Sequence, residues 1–170
     1  NMWFSTQSRG LFKYTPQTGS WTNYRTDDYN SSLPHNQVNS LCVDPYGTVW
    51  VGTVAGLCRY NKANNTFDRI NLNLPNSNIC GIVADGNTLI LSTSNGLAVY
   101  YPYDSRNVSI FTVHDGLLSN QHTANAIFKA HNGCIYAGSV NGFCAFFPSQ
   151  IEYNQNKPKV VFTELKIFNT

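Results

Sequence analysis

Apolar and polar residues alternate along most of the chain in runs of four to eight, rich in Val, Ile, Thr, Tyr, Phe and Trp. Clusters of Gly, Asn, Asp, Ser and Pro break up these runs. Period-two alternation bounded by turn chemistry predicts β-strands, and no window carries a helical stripe. The runs also recur. A glycine followed by Leu or Phe, with an aromatic beyond, stands at Gly10, Gly56, Gly96 and Gly142, about 40–46 residues apart. Upstream of each glycine lies a matching run: MWFSTQS, VWVGTVA, LILSTSN and IYAGSVN. Trp3, Trp50, Ile90 and Tyr136 share one column of this alignment, and Thr6, Thr53, Thr93 and Ser139 another.

A third run precedes these (VNSLCVDPYG, ICGIVADGN, ANAIFKAHNG) and a fourth follows (SWTNY, TFDRI, VSIFTV). In the order a, b, c and d, residues 1–26 supply strands b–d. Residues 32–70 and 73–113 each supply a full set, and 116–151 supply a–c. The fold class expected is all-β: a partial β-propeller of about three and a half four-stranded antiparallel blades. Strand b should be packed on both faces, with the Trp50 column filling the space between blades. Gly52 and Gly138 should leave room for neighbouring sheets. Gly56, Gly96 and Gly142, closing the b–c turns, should adopt a backbone conformation that a side chain resists.

The residues 38–70, VNSLCVDPYGTVWVGTVAGLCRYNKANNTFDRI, resemble the two-component-regulator propeller repeat, in which an Asp-ended strand precedes Gly-x-Leu/Val-Trp-Ile/Val-Gly-Thr and Gly-Leu-x-x-Tyr/Phe. The third blade departs at Ile90 and Ser92, and the fourth has Ala130 in place of the Asp. Residues 152–170 resemble a linker and the first strand of the immunoglobulin-like, triple-tyrosine domain that follows such propellers. The resemblance implies part of the periplasmic sensor region of a hybrid two-component system of the Bacteroidetes type. Such a sensor recognises a ligand, often an oligosaccharide, and relays the signal across the membrane to a histidine kinase. Membrane attachment would then come only through the parent chain. The competing readings are a propeller serving structure or dimerisation alone, and a glycan hydrolase or lyase.

Composition narrows the chemistry. Charged residues are 12% of the chain and the net charge is +2, without a basic cluster, so nucleic acid is not an expected partner. No apolar run reaches the roughly 18–20 residues of a membrane helix, and no leader is visible at the start. The abrupt strand-like opening suggests a piece of something longer. Five cysteines form no ligand spacing and are expected as buried thiols. His35, His114, His122 and His131 are expected in loops and make no metal motif. No cofactor, metal site or catalytic residue is expected, and no phosphate loop, nucleophile elbow or dinucleotide fingerprint is present.

Consecutive turns of a meandering blade alternate between two rims. The rim of the b–c turns and d–a connections gathers amides, imidazoles and one guanidinium, groups suited to sugar hydroxyls and carboxylates. The ligand-binding candidates are therefore Arg9, His35, Asn36, Asn76, Asn95, Asn120, Gln121, His122 and Asn141. An open arc should also expose both terminal blade faces, including Trp3, Phe4 and Phe12. Self-association, or pairing with a missing N-terminal propeller half, is the expected consequence.

Overall fold

The computed structural model describes residues 1–27, 32–104 and 108–151; the C-terminal run of 152–170 lies outside the described residues. The first sheet is β1 (Met2–Ser5), β2 (Leu11–Thr15) and β3 (Ser20–Tyr24). The second is β4 (Val38–Val43), β5 (Val49–Thr53), β6 (Gly56–Asn61) and β7 (Thr66–Ile70). The third is β8 (Ile79–Asp85), β9 (Thr88–Thr93), β10 (Gly96–Tyr100) and β11 (Ser109–Phe111). The fourth is β12 (His122–Lys129), β13 (Ile135–Ser139) and β14 (Gly142–Phe146). Each sheet is an antiparallel meander with its strands in chain order. Two short 3₁₀ turns, Val113–Asp115 and Pro148–Gln150, are the helical elements among the described residues, and none is long and apolar enough to cross a membrane.

Three apolar clusters lie between the four sheets, which fixes the phase of each strand. Leu11, Val49, Val51, Cys58 and Phe67 join blades one and two. Trp50, Leu57, Ile79, Leu89, Leu91 and Ala98 join blades two and three, and Ile90, Val99, Tyr101 and Ile135 join three and four. Strand b thus sends Val49 and Val51 backwards and Trp50 forwards, so every residue of β5 is buried. Burying one such side chain is worth about 1.5–3 kcal/mol, and the repeat multiplies that along the arc.

This phasing corrects one expectation. Trp3 belongs to the forward-facing column: it is half-buried, stacking on Tyr24 and meeting Tyr60 of blade two edge-on at 4.7 Å. Phe12 is likewise half-buried. The outward face of blade one shows Phe4, as expected, together with Met2 and Trp21, and that of blade four shows Phe128, Tyr136 and Phe143. Lys13 closes the blade-one interface from the side, its Nζ within 5.1–5.6 Å of the Trp3, Tyr24 and Tyr60 ring centres.

The glycine and threonine columns have separate causes. Gly56, Gly96 and Gly142 have φ of 134°, 99° and 130°, in the region L side chains avoid. A Cβ on Gly52 would come within 2.7 Å of Ile79 in the next blade, as anticipated. Gly138 differs, because its nearest neighbour is Ala126 of its own sheet. The Thr column clamps the b–c turn: the hydroxyls of Thr6, Thr53, Thr93 and Ser139 donate to the carbonyls of Gly10, Gly56, Gly96 and Gly142 at 2.7–3.1 Å.

Candidate functional site

Register defines the rim position by position. Val38 pairs with Thr53, Ile79 with Thr93 and His122 with Ser139, so Val38, Ile79 and His122 are equivalent. Counting back, Leu33, Leu74 and Leu117 correspond, then His35, Asn76 and Ser119, then Asn36, Ser77 and Asn120, then Gln37, Asn78 and Gln121. Leu117, rather than Leu118, thus takes the place of Leu33 and Leu74.

The structure divides the nine candidates into two groups. His35 Nδ1 and Asn76 Oδ1 accept the N–H two residues on, from Gln37 and Asn78 at 2.9 and 2.8 Å. Asn36 Oδ1 accepts from the N–H of Thr26 and Asn120 Oδ1 from that of Val113, at 2.9 and 2.8 Å. Their main-chain carbonyls also take the N–H of Gly10 and Gly96, at 2.8 and 2.7 Å. His122 opens β12 rather than lying in a loop, and is 5% exposed. Its Nδ1–H donates to the carbonyls of Thr93 and Asn120. Burial depresses its pKa, offset in part by those two carbonyls, so it is a neutral tie between blades three and four. These five side chains hold the loops.

Arg9, Gln121 and Asn141 are exposed and Asn95 half-exposed, and none has a side-chain hydrogen bond among the described residues. They occupy the b–c turns and the last d–a connection, the positions free to meet a ligand.

Sequence reasoning missed a polar ladder beside them. In each inner strand the register slips near the rim, between Val38 and Ser40, Ile79 and Gly81, and His122 and Ile127. Such bulges re-aim side chains. Asn39, at the first, donates to Asn78 Oδ1 and to the Ile79 carbonyl, each at 2.9 Å. Asn78 donates in turn to Ser94 Oγ at 2.6 Å. No periodic signal marks a bulge in advance.

A second feature is an open cleft of about 450 Å³ between blades two and three, on this same rim, lined by Ala55, Gly56, Leu72, Asn73, Ser77 and their neighbours. The opposite rim is tied by one carboxylate. There Asp44, 5% exposed, accepts the Trp50 indole N–H at 2.9 Å, the Tyr103 hydroxyl, and the backbone N–H groups of Tyr46 and Thr48. Burial alone would raise the pKa of this carboxyl, but the hydrogen bonds outweigh it and hold it below its usual value. Asp68 pairs with Arg59 at 3.1 Å and Asp85 with Lys129 at 2.7 Å, so these three carboxylates are committed to the scaffold. No cluster of metal-ligating side chains occurs among the described residues.

Residues 32–55 match the family described as Two component regulator propeller. The chain is 30% identical to Histidine kinase P4 of Formosa agariphila over 99% of its own length, and spans 16% of that protein. It superposes on a structure described as the extracellular domain of a hybrid two component system from B. thetaiotaomicron, with TM-score 0.72 and 26% identity. That alignment covers 86% of this chain and 20% of the other. A second B. thetaiotaomicron structure, described as the extracellular domain of a one component system, gives TM-score 0.64 and 26% identity over 85% of this chain and 20% of that one. With its repeat and its blade architecture in agreement, the chain is a partial β-propeller similar to these extracellular domains, and its second blade carries the two-component-regulator propeller match.

Proposed function

We propose that these blades form part of the extracytoplasmic, periplasmic sensor region of a hybrid two-component system. They recognise an oligosaccharide on the b–c rim and relay its arrival to a histidine kinase in the parent chain. The observation carrying this reading is the likeness, over most of the chain, to the extracellular domains of a hybrid two-component system and of a one-component system. The rim chemistry supports the sugar: Arg9, Asn95, Gln121 and Asn141 offer donors and acceptors that no scaffold bond uses, beside the Asn39–Asn78–Ser94 ladder. Thermal unfolding against a panel of plant and host oligosaccharides tests it, because a ligand of the folded state raises the midpoint by mass action. A dose-dependent rise that disappears when Arg9, Gln121 and Asn141 are replaced by Ala supports recognition on this rim. A rise unaffected by those changes moves the site away from these side chains.

A second reading, a propeller serving structure or dimerisation, is favoured by the end faces. Phe128 and Phe143 are each 63% exposed, and Trp21 59%, an apolar display that a second copy or further blades would cover. Light scattering decides: a monodisperse monomer at high concentration rules out self-association.

A further inference from the structure

We infer that the cleft between blades two and three is a binding pocket for a neutral carbohydrate ring. It deepens the sensor reading given above and rests on it. A cleft of about 410 Å³ also lies between blades three and four, lined by Leu97, Phe111 and Leu117 among others, and the repeat shows what sets the one between blades two and three apart. At the other two interfaces an Asn ties the rim, Asn36 reaching Thr26 and Gly10, and Asn120 reaching Val113 and Gly96. The equivalent residue between blades two and three is Ser77, whose side chain is one amide shorter. Neither bond is made: no main-chain bridge joins Gly56 to the connection 71–78. The N–H of Leu72, equivalent to those of Thr26 and Val113, has no acceptor among the described residues. Leu72 lines the cleft, so its N–H is a donor that a ligand oxygen can take in place of water.

The lining defines what that partner is. Leu57, Ile70, Leu72, Leu74 and Ile79 contribute an apolar wall, while Asn71, Asn73 and Ser77 bring amides and a hydroxyl to the edge. Arg69 belongs to the lining, but its guanidinium is turned onto Ser32 and the Leu33 carbonyl at 3.0–3.1 Å. Among the described residues no other charged side chain lines the cleft. An uncharged ligand with one C–H face and several hydroxyl oxygens, one of them accepting from Leu72, satisfies each of these surfaces. At about 450 Å³ the cleft falls within the range of about 300–1,000 Å³ typical of small-ligand pockets.

The test is a two-dimensional ¹⁵N–¹H NMR titration of the chain with neutral disaccharides (cellobiose, maltose, xylobiose) and, separately, with galacturonic acid. The expected result is saturable shifts at Ala55, Gly56, Leu72, Asn73 and Ser77 with at least one neutral sugar. Ser77→Asn, which restores the closing residue of the other interfaces, should weaken that binding by at least about tenfold while leaving the unfolding midpoint equal or higher. Ala55→Leu, which fills the mouth of the cleft, should weaken it too. Shifts confined to Asn39, Asn78, Ser94 and Gln121 and untouched by Ser77→Asn would overturn the pocket and leave rim recognition standing. Binding of the acid alone would overturn the neutral class. A flat response to every sugar would overturn the pocket, while the sensor reading answers to the wider thermal panel.

Discussion

Asp44→Asn is the perturbation that most directly measures what joins blades two and three. Oδ1 of Asp44 accepts two fixed backbone N–H groups, and Oδ2 accepts the Trp50 indole and the Tyr103 hydroxyl. An Asn must keep its carbonyl toward the backbone pair, so its NH₂ faces the indole N–H, donor against donor. The Tyr103 hydroxyl can rotate to accept from the amide; the indole cannot. Two hydrogen bonds to a charged acceptor, worth about 1.5–3 kcal/mol each, are lost and one neutral bond of about 1 kcal/mol returns. The net cost is about 2–5 kcal/mol, a large part of the roughly 5–15 kcal/mol that holds a domain folded. Urea unfolding of the wild type, Asp44→Asn, Trp50→Phe and the double variant gives the coupling. With the indole N–H gone, Asp44→Asn should cost about 1.5–3 kcal/mol less.

The same carboxyl predicts a pH signature. Its folded pKa lies below its usual value, so its stabilisation is fully present above the unfolded value, about 3.9. That stabilisation is lost as pH falls through the folded value. Wild-type stability should therefore drop more steeply than that of Asp44→Asn in this acid window, and the two should run parallel from pH 5 to 7. A cost for Asp44→Asn below about 0.5 kcal/mol, or one unchanged in the Trp50→Phe background, would refute the reasoning.

Four further outcomes can be checked on purified protein. Gly96→Ala should destabilise more than Gly56→Ala, by about 1–2 kcal/mol, because both have positive φ but only at Gly96 would the new Cβ meet a backbone oxygen, that of Phe111 at 2.3 Å. Ser92→Ala should hold or raise the unfolding midpoint, since Ser92 Oγ is buried with no hydrogen-bond partner among the described residues and such a group costs about 1–3 kcal/mol; a loss above about 1 kcal/mol would mean the hydroxyl is bonded. Lys13→Ala should cost about 1–3 kcal/mol in chemical unfolding, as the ammonium serves three aromatic rings as well as Tyr60 and Asn65. Burial pushes the Cys58 thiol far up, so a colourimetric thiol reagent should leave Cys58 unlabelled in native protein and reach it only on unfolding.

The repeat made the fold legible because its columns follow from packing that recurs at every blade. Trp50, Ile90 and Trp3 read as one column since each fills the same forward-facing space, and Val49, Val51, Leu89 and Leu91 follow from strand alternation. Phase was harder than period. Sequence alone does not say which face of β1 meets blade two, so Trp3 was assigned to the exposed end when it is Met2 and Trp21 that lie there with Phe4. The inner-strand bulges left no periodic trace either: an extra residue at Asn39 or Cys80 preserves the apolar pattern on both sides.

For the site, residue type was a poor guide and position a better one. Asn and His on a rim suit a ligand, yet Asn36, Asn76, Asn120, His35 and His122 spend their side chains on nearby main chain, the ordinary work of such residues in loops. The informative residue is the one that departs from its column. Ser77 looks like unremarkable loop chemistry beside Leu74 and Pro75 until register sets it against Asn36 and Asn120. The missing amide then accounts for an unbridged glycine and a donor without an acceptor at one interface among the described residues. A repeat makes its own control in this way: three equivalent interfaces share their packing, so a local rule broken at one of them points to function more sharply than any polar residue that obeys it.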